Sequence, residues 1–202
     1  MKALFIDHYD SFSFNVLDLL EKCGISDIEH IYFDQVDLDN VPKCDFLVLS
    51  PGPNHPDDAQ VSVDLISRFH QNVPIFGICL GLQLICKAFG AAVSKVPAPH
   101  HGATKNVDVE DSSVLFKGLG RSIKVASYNS LRISISEFSE LDHEFSLIAR
   151  SDDGSVEAIE RASSDLPYIA ATQFHPESFL SEKSIELASN FIEKVKRDKN
   201  RT

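Results

Sequence analysis

The run Pro74-Ile75-Phe76-Gly77-Ile78-Cys79-Leu80-Gly81-Leu82-Gln83-Leu84-Ile85-Cys86-Lys87-Ala88-Phe89 decides the fold. Its first five residues read as a short buried strand and the stretch from about Leu82 to Phe89 as a helix, with a cysteine between two glycines at the junction. An apolar strand that passes straight into a helix belongs to a parallel sheet covered on both faces. Upstream, Lys2–Asp7 reads as a first strand, and Ser11 is the expected cap of a helix carrying Phe14, Val16, Leu17, Leu19 and Leu20 and closed by Gly24. Ile28–Phe33 reads as a second strand. Phe46–Leu49 is an uninterrupted apolar run that stops at Ser50-Pro51-Gly52-Pro53, and residues 60–70 read as a helix. Strands alternating with helices predict an α/β protein with a mostly parallel central sheet flanked by helices. Downstream, β-like runs at 106–109, 122–126, 146–149, 156–160 and 168–174 precede a closing helix from about Glu182 to Lys196. Antiparallel strands added to one edge of the sheet account for them.

Composition sets the outer limits. The chain has 202 residues, 43% of them hydrophobic and 24% charged, with only 9 Gly and 9 Pro, so disordered and collagen-like classes are excluded. A chain of this length buries about 70% of its unfolded surface in one core. No linker or repeat divides it, and one domain, 1–202, is expected, ending in a basic tail at about 196–202. A net charge of -11 disfavours nucleic acid and anionic membrane as partners. The charge is uneven: residues 1–60 hold 3 basic and 12 acidic side chains, residues 194–201 hold 5 basic and 1 acidic. Four scattered cysteines, Cys23, Cys44, Cys79 and Cys86, suit a reduced, cytoplasmic setting better than a disulfide framework. The most apolar stretch, from Val73 to Cys86, is broken by Pro74, two glycines and Gln83 and falls short of the roughly 18 apolar residues that a membrane span requires.

Gly77-Ile78-Cys79-Leu80-Gly81 has the form of a nucleophile elbow with cysteine in place of serine. A thiol there stands clear of the sheet at a helix N-terminus, which favours the reactive thiolate, and the Leu80 N–H is placed to meet an oxyanion. The bland alternative is a buried structural thiol, the reading given to Cys86. A cysteine nucleophile needs a base and the base an orienting acceptor. Gln173-Phe174-His175-Pro176-Glu177 supplies both, because side chains two apart in extended chain share a face. The competing pair His100-His101 lacks companions at ligand spacing, so no metal is expected. His55 and His143 lie in polar stretches and read as solvated.

These two motifs resemble those of the class I (triad) glutamine amidotransferases. Asp7-His8-Tyr9-Asp10-Ser11-Phe12-Ser13-Phe14-Asn15, Ser50-Pro51-Gly52-Pro53-Asn54 and Tyr128-Asn129-Ser130-Leu131 are similar to the glutaminase component shared by anthranilate synthase and aminodeoxychorismate (para-aminobenzoate) synthase, over residues 1 to about 195 and in the same order. The resemblance implies a Cys79 nucleophile, a His175 base and acid, and a Glu177 orienter, working through a γ-glutamyl thioester without a cofactor. It implies that Gly52 and Leu80 form the oxyanion hole, that Gln83, Ser130 and Leu131 hold the amino-acid end of glutamine, and that Pro53 and Asn54 shape the loop beside it. It also implies a chorismate-using synthase as heterodimer partner, receiving ammonia in the tryptophan or folate pathway, with His101-Gly102 and the loop around Asn54 facing that partner. Three positions depart from the commonest pattern. Asn54 stands where glycine is usual and a left-handed backbone is expected, and Leu82 and Asn129 stand where His is frequent, so a low basal rate is expected. Two other classes fit less of the sequence: a cysteine hydrolase of γ-glutamyl or peptide bonds, which has no need of Gln83 or Ser130-Leu131, and an idle stabilising subunit, which has no need of an intact triad.

Overall fold

The structure is a computed structural model and describes residues 1–96, 102–163 and 165–201. Its first half is β1 (Lys2–Asp7), α1 (Ser13–Lys22), β2 (Asp27–Tyr32), β3 (Phe46–Leu49), α2 (Gln60–Phe69), β4 (Ile75–Ile78) and α3 (Leu80–Ala88). Its second half is β5 (Ser94–Lys95), β6 (Ala103–Val109), β7 (Ser122–Ser127), β8 (Leu131–Arg132), α4 (Ile135–Phe138), β9 (Ser146–Arg150), β10 (Val156–Arg161), β11 (Ile169–Thr172) and α5 (Ser184–Lys199). The main sheet has the order β2-β1-β3-β4-β11-β10-β9-β6-β7. Strands β2, β1, β3, β4 and β11 pair in parallel, whereas β11 onward to β7 pair antiparallel. The expected parallel sheet with an antiparallel extension on one edge is therefore the architecture observed.

Alternation along the strands builds two cores. Ala3, Phe5, Phe46, Val48, Phe76, Ile78 and Ala170 face α1 and α5, where Val16, Leu20, Leu187, Phe191 and Val195 close over them. Leu4, Ile6, Leu47, Leu49, Ile75, Ile169 and Ala171 face α2 and α3, packing with Leu65, Ile66, Leu84 and Ile85. Side chains two apart share a sheet face, so each apolar strand supplies both layers, which is why these strands read as unbroken apolar runs.

Four local expectations are corrected. Ser11 does not cap α1: the cap position is Phe12, which makes no side-chain cap bond. The turn is instead held by Asp10, whose Oδ1 accepts from Phe12 N at 2.8 Å, and by Asp7, whose Oδ1 accepts from Ser13 Oγ at 2.6 Å. Phe14 is not a core residue but 70% exposed, because it shares the outer face of α1 with Asp18 and Glu21. Helix α3 starts two residues early, since the Cys79 carbonyl already accepts from Leu82 N and Gln83 N. The basic tail is largely helix: α5 runs to Lys199, with Lys196, Arg197 and Lys199 in a last turn whose dipole favours cations.

Candidate active site

Register places the reacting groups. In the parallel pair β4 and β11, Ile78 lies opposite Thr172, and Cys79 N donates to Thr172 O at 2.7 Å. The next residues along both strands, Cys79 and Gln173, are thereby neighbours, and His175 and Glu177 follow at alternate positions. Cys79 turns the chain with φ 52° and ψ -101°, a left-handed value that a non-glycine residue adopts only where its surroundings enforce it. Those surroundings explain the flanking glycines. A Cβ on Gly77 would lie 2.7 Å from the carbonyl carbon of Gly81, and one on Gly81 would lie 2.5 Å from Leu49 O. Strand and helix can approach this closely only without side chains there.

His175 Nδ1 and Glu177 Oε1 are 2.6 Å apart and both residues are buried. The ring lies among aromatics, with centroids 4.9 Å from Tyr128 and 5.8 Å from Phe12. Its Nε2 is buried and closes no hydrogen bond within the protein. Burial disfavours the imidazolium, but the charges of the Cys79 thiolate and the Glu177 carboxylate outweigh it, and His175 is held well above the ordinary histidine range. Burial pushes the Cys44 thiol up to about 11, and Cys86, buried in the second core, is raised further.

Cys79 and His175 open on a cavity of about 500 Å³. Gly52, Pro53, Asn54, Gln83, Ser130 and Leu131 line it. Leu80 and Glu177 stand behind it: the Leu80 side chain packs against Gly52, where a Cβ would sit 2.5 Å from its Cδ2, and Glu177 backs His175. Asp10, Ser11, Phe12, His55, Tyr128 and Asn129 line it as well. The motifs alone give these six no place in the site, and only the fold brings the β1 and β7 loops together over Cys79.

Asn54 is not left-handed; among the described non-glycine residues only Tyr9, Cys79 and Lys183 have positive φ. Pro53 fixes its own φ and His55 is extended at φ -76° and ψ 146°, so the loop reaches the next turn without a left-handed residue. His55, expected to be solvated, has a side chain 40% exposed and also caps that turn by accepting from Asp57 N at 3.2 Å, and His143 is exposed. The Gly52 loop rests on His8, which is fully buried between Ser50 Oγ at 3.1 Å and Ser62 Oγ at 2.9 Å. Burial drives the His8 pKa down to about 4 against the weaker pull of Asp7, so the ring is neutral.

The other two departures from the common pattern, Leu82 and Asn129, have structural roles here. Leu82 is buried in the second core. Asn129 Oδ1 accepts from Ser127 Oγ at 2.6 Å and its Nδ2 donates to Leu131 O at 2.9 Å, which fixes the turn presenting Ser130 and Leu131. Gln83 Nε2 donates to Leu131 O at 3.2 Å and to Gln173 Oε1 at 3.0 Å, leaving Oε1 as the atom it can offer a ligand. His100 and His101 lie outside the described residues, and Gly102, φ 68°, adjoins Tyr128.

A strained cysteine on a strand-to-helix turn, beside a histidine backed by a carboxylate at the carboxyl end of a parallel sheet, is an arrangement suited to thiol-dependent acyl transfer. The chain belongs to the class-I glutamine amidotransferase family, whose description matches residues 4–195. It is 35% identical over 197 residues to the aminodeoxychorismate/anthranilate synthase component 2 of Bacillus subtilis, covering 96% of this chain and 97% of that one. It is also 35% identical to the aminodeoxychorismate synthase component 2 of Klebsiella aerogenes, over 191 residues, with 94% and 98% covered. Among solved structures, a Thermoplasma acidophilum protein provisionally assigned to GMP synthase superimposes with a TM-score of 0.84 at 28% identity, covering 100% of this chain and 97% of that one. The protein is thus a glutamine amidotransferase.

Proposed function

We propose that this chain is the glutaminase component of a chorismate-using synthase, hydrolysing L-glutamine through a thioester on Cys79 and passing ammonia to a synthase subunit. The reading rests on one observation above all: Cys79 and His175 open on one cavity, with Glu177 backing the His175 ring and the Gly52 loop on the cavity wall. The Cys79 thiolate attacks the side-chain amide carbon of glutamine, and the Gly52 and Leu80 N–H groups receive the oxyanion. His175 gives its proton to the departing nitrogen, the C–N bond breaks, and ammonia leaves. Neutral His175 then takes a proton from water, hydroxide attacks the thioester carbon, and the C–S bond breaks with its electron pair returning to sulfur. Glu177 keeps the ring oriented through both steps, while Gln83, Ser130 and Leu131 hold the amino-acid end and Pro53 and Asn54 form the wall beside it.

The synthase partner is supported by relatives named as second components of anthranilate and aminodeoxychorismate synthases. Free ammonia at neutral pH is almost wholly ammonium and no nucleophile, so delivery to a partner site gives the chemistry its use. Tryptophan and folate branches both fit these names. A single domain, 1–202, is part of the proposal, as is a reduced, cytoplasmic setting, which the four free cysteines suit. No helix among the described residues is long and apolar enough to cross a membrane.

The test is ammonia release from glutamine by the native chain and by Cys79→Ala, each with and without the chorismate-using subunit from the same organism. Release that depends on Cys79 and rises with the subunit is expected. No release under either condition would sink the amidotransferase assignment of this site, and release unchanged in Cys79→Ala would sink the mechanism.

A further inference from the structure

Beneath the thiol lies a buried amide that the proposed reaction does not use. Gln173 is fully buried, and its Nε2 donates to Cys79 Sγ at 3.4 Å. The direction of that bond is fixed from a distance. Leu131 O is a carbonyl and can only accept, so the Gln83 atom facing it must be Nε2. The same Nε2 reaches Gln173 at 3.0 Å, which requires that atom of Gln173 to be Oε1. Gln173 Nε2 is then the atom left to face sulfur. Rotating the Gln173 amide would set two donors against each other at Gln83 and two acceptors at the thiolate. Asn129 steadies the far end, sharing the Leu131 carbonyl at 2.9 Å and held in turn by Ser127 Oγ at 2.6 Å.

We propose that Gln173 is a further catalytic residue, a hydrogen-bond donor to the Cys79 sulfur, and that Gln83 is its positioning residue in addition to lining the substrate cavity. The inference rests on Cys79 being the nucleophile, as proposed above. A donor to sulfur acts most strongly when sulfur is charged, because charge-assisted hydrogen bonds are the strong ones. It therefore favours the thiolate over the thiol before attack and fixes the direction from which sulfur approaches the amide carbon. The bond weakens once the thioester forms and sulfur loses its charge. It is restored when the C–S bond breaks and the electron pair returns to sulfur, so it assists departure in the hydrolytic step. The Glu177–His175 pair works on the proton, and the Gln83–Gln173 pair works on the sulfur.

The experiment is alkylation of Cys79 by iodoacetamide in the full chain between pH 5 and 9, read peptide by peptide with mass spectrometry so that Cys23, Cys44 and Cys86 are scored separately. Gln173→Met and Gln83→Met keep side-chain length and volume while removing the amides. In Gln173→Met the pH midpoint of Cys79 alkylation is expected to rise by about one unit, a tenfold loss of thiolate at low pH. Gln83→Met, which leaves Gln173 in place but free to turn over, is expected to shift it in the same direction by less. A merely structural role would lower the alkylation plateau without moving the midpoint. Midpoints equal to wild type in both variants would overturn the proposal, and where Gln173→Met does not fold, an unmoved midpoint in Gln83→Met overturns it alone. Ammonia release undiminished in Cys79→Ala would instead remove the catalytic reading beneath it, while the alkylation midpoints would still report the N–H···S contact.

Discussion

At the residue scale, His175 and His8 are held in opposite states, and each state follows from its neighbours. His175 keeps its proton because two negative groups outweigh burial. Replacing Glu177 with Gln removes one of them and loosens the ring. The alkaline limb of kcat/KM for glutamine should move to lower pH, and kcat should fall by roughly 10²- to 10⁴-fold, the usual worth of oriented acid–base catalysis. A pH series of ammonia release would check both. His8 is the opposite case, since burial alone holds it neutral down to about pH 4. Its folded pKa lies below its unfolded value, so the unfolded chain binds more protons between about pH 6.5 and 4, and folding stability falls as pH drops through that window. The full shift corresponds to a loss on the order of 3 kcal/mol. His8→Asn should flatten the fall, measured as the difference in urea midpoint between pH 7 and pH 4.5. An equally steep fall in the variant would show that other groups carry the acid sensitivity. His30 shows a third use, its Nε2 at 2.8 Å from Asp7, the carboxylate that also anchors Tyr9 N and Ser13 Oγ beneath the loop lining the cavity.

At the element scale, the junction of β4 and α3 is set by what is missing from it. Gly77→Ala would drive a methyl group into the Gly81 backbone and Ile85 Cδ1, and Gly81→Ala would drive one into Leu49 O. Backbone cannot swing aside as a side chain can, so each change should cost roughly 1–3 kcal/mol, read from urea unfolding of the purified variants. Loss of activity without loss of stability would mean that the glycines serve the chemistry and not the packing. This junction is legible in sequence because strand, turn and helix follow without a break and each carries its own signal. The parallel strands are legible for the same reason, as apolar runs bounded by turns. Less can be read in the second half. Strands β6, β7, β9 and β10 are visible one by one, but the pairing of β6 with β9 joins segments far apart in sequence, and half-exposed β6 carries little information on its neighbour. The same limit hides the contact between Gln173 and Cys79. Both residues stand in recognisable motifs, but only the register of β4 against β11 makes them neighbours.

At the scale of the whole molecule, charges that look like two separate ends in the sequence meet. Lys199, in the last turn of α5, lies 2.6 Å from Asp45 of the acidic first third, so part of the basic end is spent within the chain and not on a partner. An exposed pair of this kind adds little to stability. What ties the molecule together is the sheet and the cavity across it. Gly52, Cys79 and Gln83 come from the parallel half, while Tyr128, Ser130, Leu131 and His175 come from segments that join or border the antiparallel extension. A ligand in the cavity therefore touches both halves, and the two should unfold together. The 4 tyrosines and the lack of tryptophan make this measurable, since Tyr9 and Tyr32 report on the parallel half, Tyr128 on the antiparallel extension, and Tyr168 on the boundary between β11 and β10, where its hydroxyl donates to Glu160. Urea unfolding followed by tyrosine fluorescence and by far-ultraviolet circular dichroism should give one shared midpoint. In Cys79→Ala, expected to bind glutamine without consuming it, glutamine at about 100 times its Kd should raise stability by about 2.7 kcal/mol and move both signals equally. A midpoint that splits, or a ligand shift seen by one probe only, would mean that the antiparallel extension is a folding unit of its own. The single domain proposed here would then have to be divided between β11 and β10.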